Sequence, residues 1–210
     1  MPRLRVTYNA PVILTFSLLC VSVLIIDKLI GIAPVLFAAP PRGMFSMTNP
    51  FDYFRLFSHI LGHSGWTHLA GNFYLILLIG PILEEKYGSF NLLLMILFTA
   101  FITGVLNALL FPAGLMGASG IAFMLILLSP FTSTKPGEIP LTFILIVLLY
   151  LTREVFQAFE PDNVSQFAHL IGGVVGSVFG FVGLQREGRI ETTPVPPLDS
   201  NSDEKDDVTL

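Results

Sequence analysis

The amino-acid sequence predicts an all-α polytopic membrane protein with six transmembrane helices. Only 12% of the 210 residues are charged and 53% are hydrophobic, and the mean hydropathy is +0.74. A soluble domain has about a quarter of its residues charged, so these few charges cannot cover a water-facing surface and lipid must be most of the solvent. The predicted apolar segments cover residues 11–33, 67–83, 90–111, 117–130, 139–159 and 165–184.

The two ends of the chain are polar and flank these segments. Residues 1–8 include two arginines, and the apolar run at 10–26 is longer than the core of a signal peptide, which predicts a retained first span. Seven of the fifteen acidic residues lie in residues 186–210, together with three prolines. We therefore predict a cytoplasmic N-terminus at 1–10, a membrane domain at 11–185 and a disordered acidic tail at 186–210. This acidic tail gives no reason to expect a nucleic-acid partner.

The basic residues predict the orientation of the spans. Cytoplasmic connections carry an excess of Lys and Arg. With the N-terminus inside, seven basic residues fall on the inner side and four on the outer side; these are Arg3, Arg5, Lys86, Lys135, Arg186, Arg189 and Lys205 against Lys28, Arg42, Arg55 and Arg153. We therefore predict that both termini lie in the cytoplasm.

The fourth apolar segment is too short for a full crossing. A helix from Ser119 to Pro130 covers about 17 Å of a hydrocarbon core of about 30 Å. We predict that this helix starts inside the membrane and that residues 112–116 before it are non-helical. Such backbone persists at depth only where it is buried in protein or lines a water-filled cavity. A tilted helix with different ends is the alternative.

Four polar residues interrupt the even-numbered spans. They are His68 and Asn72 in the second, Ser119 in the fourth and His169 in the sixth. Each lies near the start of its span, and even-numbered spans all run inward, so all four should lie at the outer end of the bundle. Polar residues in membrane helices usually face a bundle interior or a cavity. Taken singly, each could instead be a packing or interface residue.

Ser119 and His169 have the surroundings that nucleophilic catalysis needs. Ser119 stands in Gly117-Ala118-Ser119-Gly120, where glycines allow close approach and a helix N-terminus favours negative charge. The glycines at 172, 173 and 176 share a helix face with His169 and would let the fourth helix come close. A neutral imidazole can then take the serine proton. No acid is placed to orient the histidine, so we predict a Ser–His dyad.

His68 and Asn72 are candidates for an oxyanion-binding pair. They are four residues apart, so they face the same way on the second helix. Imidazole and amide donors aimed at one point can stabilise the negative charge that develops during acyl transfer.

The histidines also raise a metal site as an alternative. His59, His63 and His68 form a cluster, and His169 makes a fourth. The sequence has no His-Glu-x-x-His motif and no carboxylate within the cluster. We therefore expect neither a metal ion nor a cofactor.

These motifs together resemble the rhomboid intramembrane serine proteases. They agree in order and spacing from Phe54 to Gly180. The matching pieces are Phe54-Arg55 with His59, His63-Ser-Gly-Trp-Thr-His68-Leu-Ala-Gly-Asn72, Glu84-Glu85-Lys86-Tyr87-Gly88-Ser89, Gly117-Ala118-Ser119-Gly120 and Ala168-His169-Leu-Ile-Gly172-x-x-x-Gly176.

The resemblance implies a six-helix rhomboid-like bundle around a water-filled cavity that opens to the outside of the cell membrane. It implies that Ser119 is the nucleophile and His169 the general base, and that His68, Asn72 and the Ser119 backbone N–H bind the oxyanion. Phe123 matches an aromatic position that packs on the catalytic histidine.

The resemblance also implies which residues have structural roles. Arg55 and Glu84 would tie loops structurally, while the fifth helix and the following loop would form the substrate gate. Phe54 and Ile121 depart from the usual residues at their positions, and Phe123 lacks the hydroxyl that many relatives carry.

The function predicted from the sequence is intramembrane serine endopeptidase activity. Its partners would be membrane proteins with a transmembrane helix, cleaved within the lipid bilayer. Two alternatives remain. An inactive rhomboid-like protein would bind membrane clients, although such relatives lose the serine or the histidine. A small transporter would show internal repeats and mid-span ionisable residues, and the sequence has no visible repeat.

Overall fold

The computed structural model describes residues 6–135, 137–157 and 169–182. These parts are helical and contain no β-strand; one isolated bridge joins Ala39 to Leu115. Short 3₁₀ turns follow two of the helices, at His59–Leu61 and Ser129–Ser133. The helices are α1 (Pro11–Ile30), α2 (Ala33–Leu36), α3 (Pro50–Ser58), α4 (Trp66–Tyr87), α5 (Ser89–Leu110), α6 (Ser119–Leu128), α7 (Leu141–Gln157) and α8 (His169–Val182).

Three of the described helices are long and apolar enough to cross a membrane. They are α1, α4 and α5, with mean hydropathies of 2.3, 1.4 and 2.3. Each matches a predicted span, and together they support an integral membrane protein. The predicted fifth and sixth spans extend into residues 158–168 and 183–184, which lie outside the described parts, so the count of six stays a prediction. The predicted tail at 186–210 also lies outside them.

The helix in the fourth predicted span, α6, is short, as predicted. Helix α6 has 10 residues and begins at Ser119, so it is about 15 Å long against a hydrocarbon core of about 30 Å. Eight of its 10 residues are buried. A helix that is apolar on every side belongs in a protein interior, and α6 is accordingly the central helix, packed against α4 and α5.

The connection between α1 and α4 is folded onto the bundle. Arg55 on α3 donates its Nε–H to the carbonyl of Ala38 at 2.7 Å and pairs with the carboxylate of Asp52 at 3.0 Å. The other oxygen of Asp52 accepts the N–H of Ser46 at 2.9 Å. These bonds confirm the structural role expected for Arg55, because they fix the loop before α3 to α3 itself.

Glu84 joins three helices at the other end of α4. Its carboxylate is buried and accepts the backbone N–H groups of Val12 and Ile13 at 2.9 and 3.0 Å. It also accepts the hydroxyl of Ser89, the first residue of α5, at 2.7 Å. Because the first N–H groups of a helix have no partner within that helix, Glu84 supplies one for α1. Glu84 has a structural role, as expected, but it joins the starts of two helices to α4 and does not tie loops.

Candidate active site

Ser119 is the first residue of α6 and follows a non-helical segment, as predicted. Residues 111–118 form no helix, yet their backbone groups are bonded to the protein around them. The carbonyl of Leu115 accepts the Ala39 N–H at 2.8 Å, and the N–H of Gly117 donates to the carbonyl of His59 at 3.0 Å. The Asn107 amide donates to the carbonyl of Ala113 at 3.0 Å. Because these backbone groups have hydrogen-bond partners within the protein, a non-helical segment can lie next to a buried helix.

Gly117 lets α4 approach the start of α6. Its φ is +137°, a region that side chains rarely adopt. A Cβ at Gly117 would lie 2.8 Å from both Cε1 and Nε2 of His68, and 3.9 Å from Nδ2 of Asn72. Side-chain nitrogens of His68 and Asn72 therefore both lie near Gly117, two residues before Ser119.

Helix α8, which carries His169, is in backbone contact with α6, which begins at Ser119. An added Cβ at Gly172 would overlap the carbonyl oxygen of Gly120, and one at Gly176 would overlap that of Met124. The two helices therefore touch along the glycine face that the sequence indicated. The first contact joins Gly120, one residue after Ser119, to Gly172, three residues after His169.

An aromatic stack fixes the plane of the His169 ring. The rings of His169 and Phe123 are stacked, with centroids 4.0 Å apart and planes 11° apart. Phe123 is one turn after Ser119 on α6, so the helix that carries the serine also holds the imidazole. The expected packing of Phe123 is confirmed.

One cavity of about 570 Å³ contains the four predicted site residues. A turn of α-helix with its side chains occupies about 400–600 Å³, so the cavity has room for roughly one turn of a peptide. Its lining combines polar groups from α4, α6 and α8 with apolar side chains. The lining residues are Ser64, Thr67, His68, Gly71, Asn72, Leu75, Gly114, Leu115, Met116, Ser119, Ala122, Phe123 and His169.

His63 belongs to this polar cluster, and the sequence did not predict its contact with Asn72. Its ring is fully buried. Nε2 lies 3.0 Å from Nδ2 of Asn72 and 3.4 Å from the backbone N of Ala118. Nδ1 lies 3.2 Å from the carbonyl oxygen of Leu61. The spacing of nine residues between His63 and Asn72 is not a helical spacing, so only their shared motif could have suggested the contact.

Two other polar contacts border the site. Ser64 Oγ lies 3.1 Å from Nδ1 of His68 at the cavity rim. His59 is fully buried, and its Nε2 lies 3.2 Å from the hydroxyl of Thr103 on α5. Burial lowers the pKa of His59 to about 4.

The histidine cluster does not gather metal ligands. Within the described residues, no three His, Cys, Asp or Glu side chains are grouped so that they could hold a metal ion. The Nε2 lone pair of His63 faces the N–H groups of Asn72 and Ala118, so it is already used in hydrogen bonds.

Several known proteins have sequences similar to this chain. RHOMBOID-like protein 1 of Arabidopsis thaliana is 32% identical over 149 residues, which are 67% of this chain and 37% of that protein. Rhomboid-like protein 11, chloroplastic, of the same organism is 28% identical over 132 residues, covering 55% of this chain and 47% of that protein.

A bacterial protein is matched over more of its own length. Putative rhomboid protease YdcA of Bacillus subtilis (strain 168) is 28% identical over 144 residues, covering 66% of this chain and 71% of that protein. The match to each of the two plant proteins spans less than half of the plant protein's length.

A family model, described as Rhomboid domain, matches residues 50–186. That stretch is more than half of the chain and includes α3 to α8, with all four predicted site residues. The chain belongs to the rhomboid family.

Proposed function

We propose that the protein is an intramembrane serine endopeptidase that uses a Ser119–His169 dyad. The observation that carries the proposal is the meeting of Ser119, His169, His68 and Asn72 around one cavity at the N-terminus of a buried helix. A lone serine at a helix contact would need none of these neighbours. Membership in the rhomboid family and the name of the Bacillus subtilis relative support the same reaction.

The reaction would begin with proton transfer from Ser119 to His169. The serine oxygen attacks the carbonyl carbon of the scissile bond while a ring nitrogen of His169 takes its proton. The protonated imidazole then gives that proton to the leaving amine, and the substrate acyl group stays on Ser119. A water molecule, deprotonated by His169, hydrolyses the ester and restores the serine.

His68 and Asn72 would stabilise the oxyanion of the tetrahedral intermediate. Their nitrogens converge near Gly117, beside the first N–H groups of α6, which have no partner within that helix. Donors arranged before the reaction stabilise developing charge without reorganising, and one such donor is worth about two to three orders of magnitude in rate. No metal ion or cofactor is needed for any of these steps.

The substrate would be a transmembrane or juxtamembrane segment of another membrane protein. A cavity of about 570 Å³ holds roughly one helical turn, so only a short stretch of substrate can enter. This stretch must unwind, because a peptide bond within a helix is sterically shielded. We infer that helix-weakening residues near the cleavage site favour cleavage. We also infer that the protein lies in the cell membrane with both termini in the cytoplasm and the site open to the outer side.

Substitution of the dyad tests the proposal. With purified protein in lipid vesicles and a fluorescent transmembrane substrate, Ser119→Ala and His169→Ala should each lower kcat by more than about a thousandfold. A fluorophosphonate probe should label the wild-type protein and should not label Ser119→Ala.

Ser129→Ala is the matched control. Ser129 lies just after α6 and donates to the carbonyl of Ile126 at 2.9 Å, away from the cavity, so its variant should keep labelling and cleavage. Cleavage that persists in Ser119→Ala would refute the assignment of the nucleophile. Binding of a membrane client without Ser119-dependent cleavage would favour the inactive client-binding alternative.

A further inference from the structure

We propose that His63 is a positioning residue that holds the Asn72 amide, and with it the start of α6, in the orientation needed to bind the oxyanion. The proposal rests on the proposed function. His63, in the loop before α4, would join His68 and Asn72 in the site. It would touch no reacting atom and would act through Asn72.

Two backbone groups determine which ring nitrogen of His63 carries the proton. The carbonyl of Leu61 can only accept a hydrogen bond, so Nδ1, 3.2 Å away, must be the N–H donor. The backbone N of Ala118 can only donate, so Nε2, 3.4 Å away, must present its lone pair. His63 is therefore a neutral imidazole with its proton on Nδ1.

The same lone pair determines the orientation of the Asn72 side chain. An amide can present either its NH₂ group or its oxygen, and the two ends have the same shape. Because Nε2 of His63 accepts, the amide atom 3.0 Å away must be the nitrogen Nδ2. A flipped amide would place its oxygen against the lone pair of Nε2, which is repulsive.

The orientation of Asn72 matters for the chemistry. Nδ2 carries two N–H groups, and the bond to His63 uses one of them. Nδ2 lies 3.9 Å from the point that a Cβ of Gly117 would occupy, to which Nε2 of His68 also comes close. This nitrogen therefore borders the loop before Ser119 and has one N–H left to donate. With the amide flipped, the oxygen would take this place, and it would repel an oxyanion instead of binding it.

His63 also joins the two elements that must be aligned. Asn72 belongs to α4, and Ala118 directly precedes Ser119 on α6. One buried ring nitrogen accepts from both. Burial lowers the pKa of His63 to about 4, so the ring stays neutral and keeps this lone pair at neutral pH. The ring thus sets the spacing between the amide donor and the nucleophile.

A double-mutant cycle between His63 and Asn72 tests this role, with kcat and KM measured on the folded protein in lipid vesicles. Asn72→Ala should lower kcat by about 10²–10³-fold. His63→Leu, which removes the acceptor, should lower kcat by about 10–100-fold with little change in KM. In the Asn72→Ala background, His63→Leu should cost almost nothing more, because residues that act as a unit are not additive.

Conservative variants make the test independent of stability. His63→Gln places an amide oxygen near the position of Nε2, so it should restore most of kcat. The side chain in His63→Asn is long enough to reach Leu61 but not Asn72, so this variant should lower kcat by the amount expected for His63→Leu. It replaces His63→Leu in the test if the leucine variant does not fold. His59→Leu, at a buried histidine that contacts Thr103 instead, should cost the same with and without Asn72.

The outcomes separate this inference from the proposed function. If wild-type cleavage does not depend on Ser119, the proposed function fails. If cleavage depends on Ser119 but the costs of His63→Leu and Asn72→Ala multiply, or if His63→Gln and His63→Asn are equally impaired, His63 has only a packing role and the inference is overturned.

Discussion

Glu84 offers a test of stability that is separate from catalysis. Its two oxygens accept three hydrogen bonds, from Val12 N, Ile13 N and the hydroxyl of Ser89. Glu84→Gln keeps one oxygen and turns the other into an amide nitrogen, which faces a donor. Losing one bond to a charged group costs about 1.5–3 kcal/mol and leaving a buried N–H unpaired costs about 1–3 kcal/mol. We expect the free energy of unfolding to fall by about 3–5 kcal/mol.

The neighbouring Glu85 provides the control. It is exposed, so Glu85→Gln makes the same chemical change without removing a buried acceptor, and it should alter the free energy of unfolding by about 0.5 kcal/mol or less. Reversible denaturation in detergent micelles measures both variants. Glu84 is sixteen residues from His68, about 24 Å along α4, so kcat per folded molecule should be unchanged. Equal stability losses in the two variants would refute the reasoning.

Two glycine positions give further predictions. Gly172→Ala places a Cβ against the carbonyl of Gly120, so α8 must move away from α6; we expect a lower denaturation temperature and a reduced kcat, measured together on the same preparation. Gly71 lines the cavity, and among the described residues no heavy atom lies within 4 Å of its would-be Cβ. Gly71→Ala should therefore be tolerated, while Gly71→Leu should lower kcat/KM most for substrates with a bulky side chain beside the cleaved bond; an equal loss for all substrates would contradict this.

Hydropathy predicted the long helices because lipid-facing spans must be apolar on most sides. It placed the end of the second span at residue 83, whereas α4 continues to Tyr87. The difference has a physical reason: Glu84 interrupts the apolar run but is buried, because backbone N–H groups of α1 satisfy its carboxylate. A pattern along one segment cannot show a partner about 70 residues away.

The first helix shows the opposite error. The apolar segment was predicted to run to residue 33, but α1 ends at Ile30. Gly31 has a φ of 68° and its N–H bonds to the carbonyl of Asp27 at 2.7 Å, which is a left-handed cap that stops the helix. Here the glycine signal was visible in the sequence, and hydropathy obscured it.

Helix parity and glycine spacing predicted which four polar residues meet, because both follow from helical geometry. They could not predict the contact between His63 and Asn72. That contact depends on how residues 62–65 turn between a 3₁₀ turn and α4, and on the ring of His63 being fully buried. Such a turn has no periodicity, so its geometry had to come from the structure.

The polar side chains at the two ends of α4 differ in how many of their hydrogen bonds are made with protein groups. At Glu84, both carboxylate oxygens are bonded to protein donors, so burying the charge stabilises the junction of three helices. At Asn72, the bond to His63 uses only one N–H of the amide, and the amide borders the cavity that contains Ser119. A buried donor with an unused N–H calls for an explanation, and a catalytic role is one such explanation. Under the proposed function, the oxyanion would accept this N–H. A transition-state analogue bound at Ser119 should therefore raise the free energy of unfolding more in the wild-type protein than in Asn72→Ala. An equal increase in the two proteins would mean that Asn72 does not bind the oxyanion.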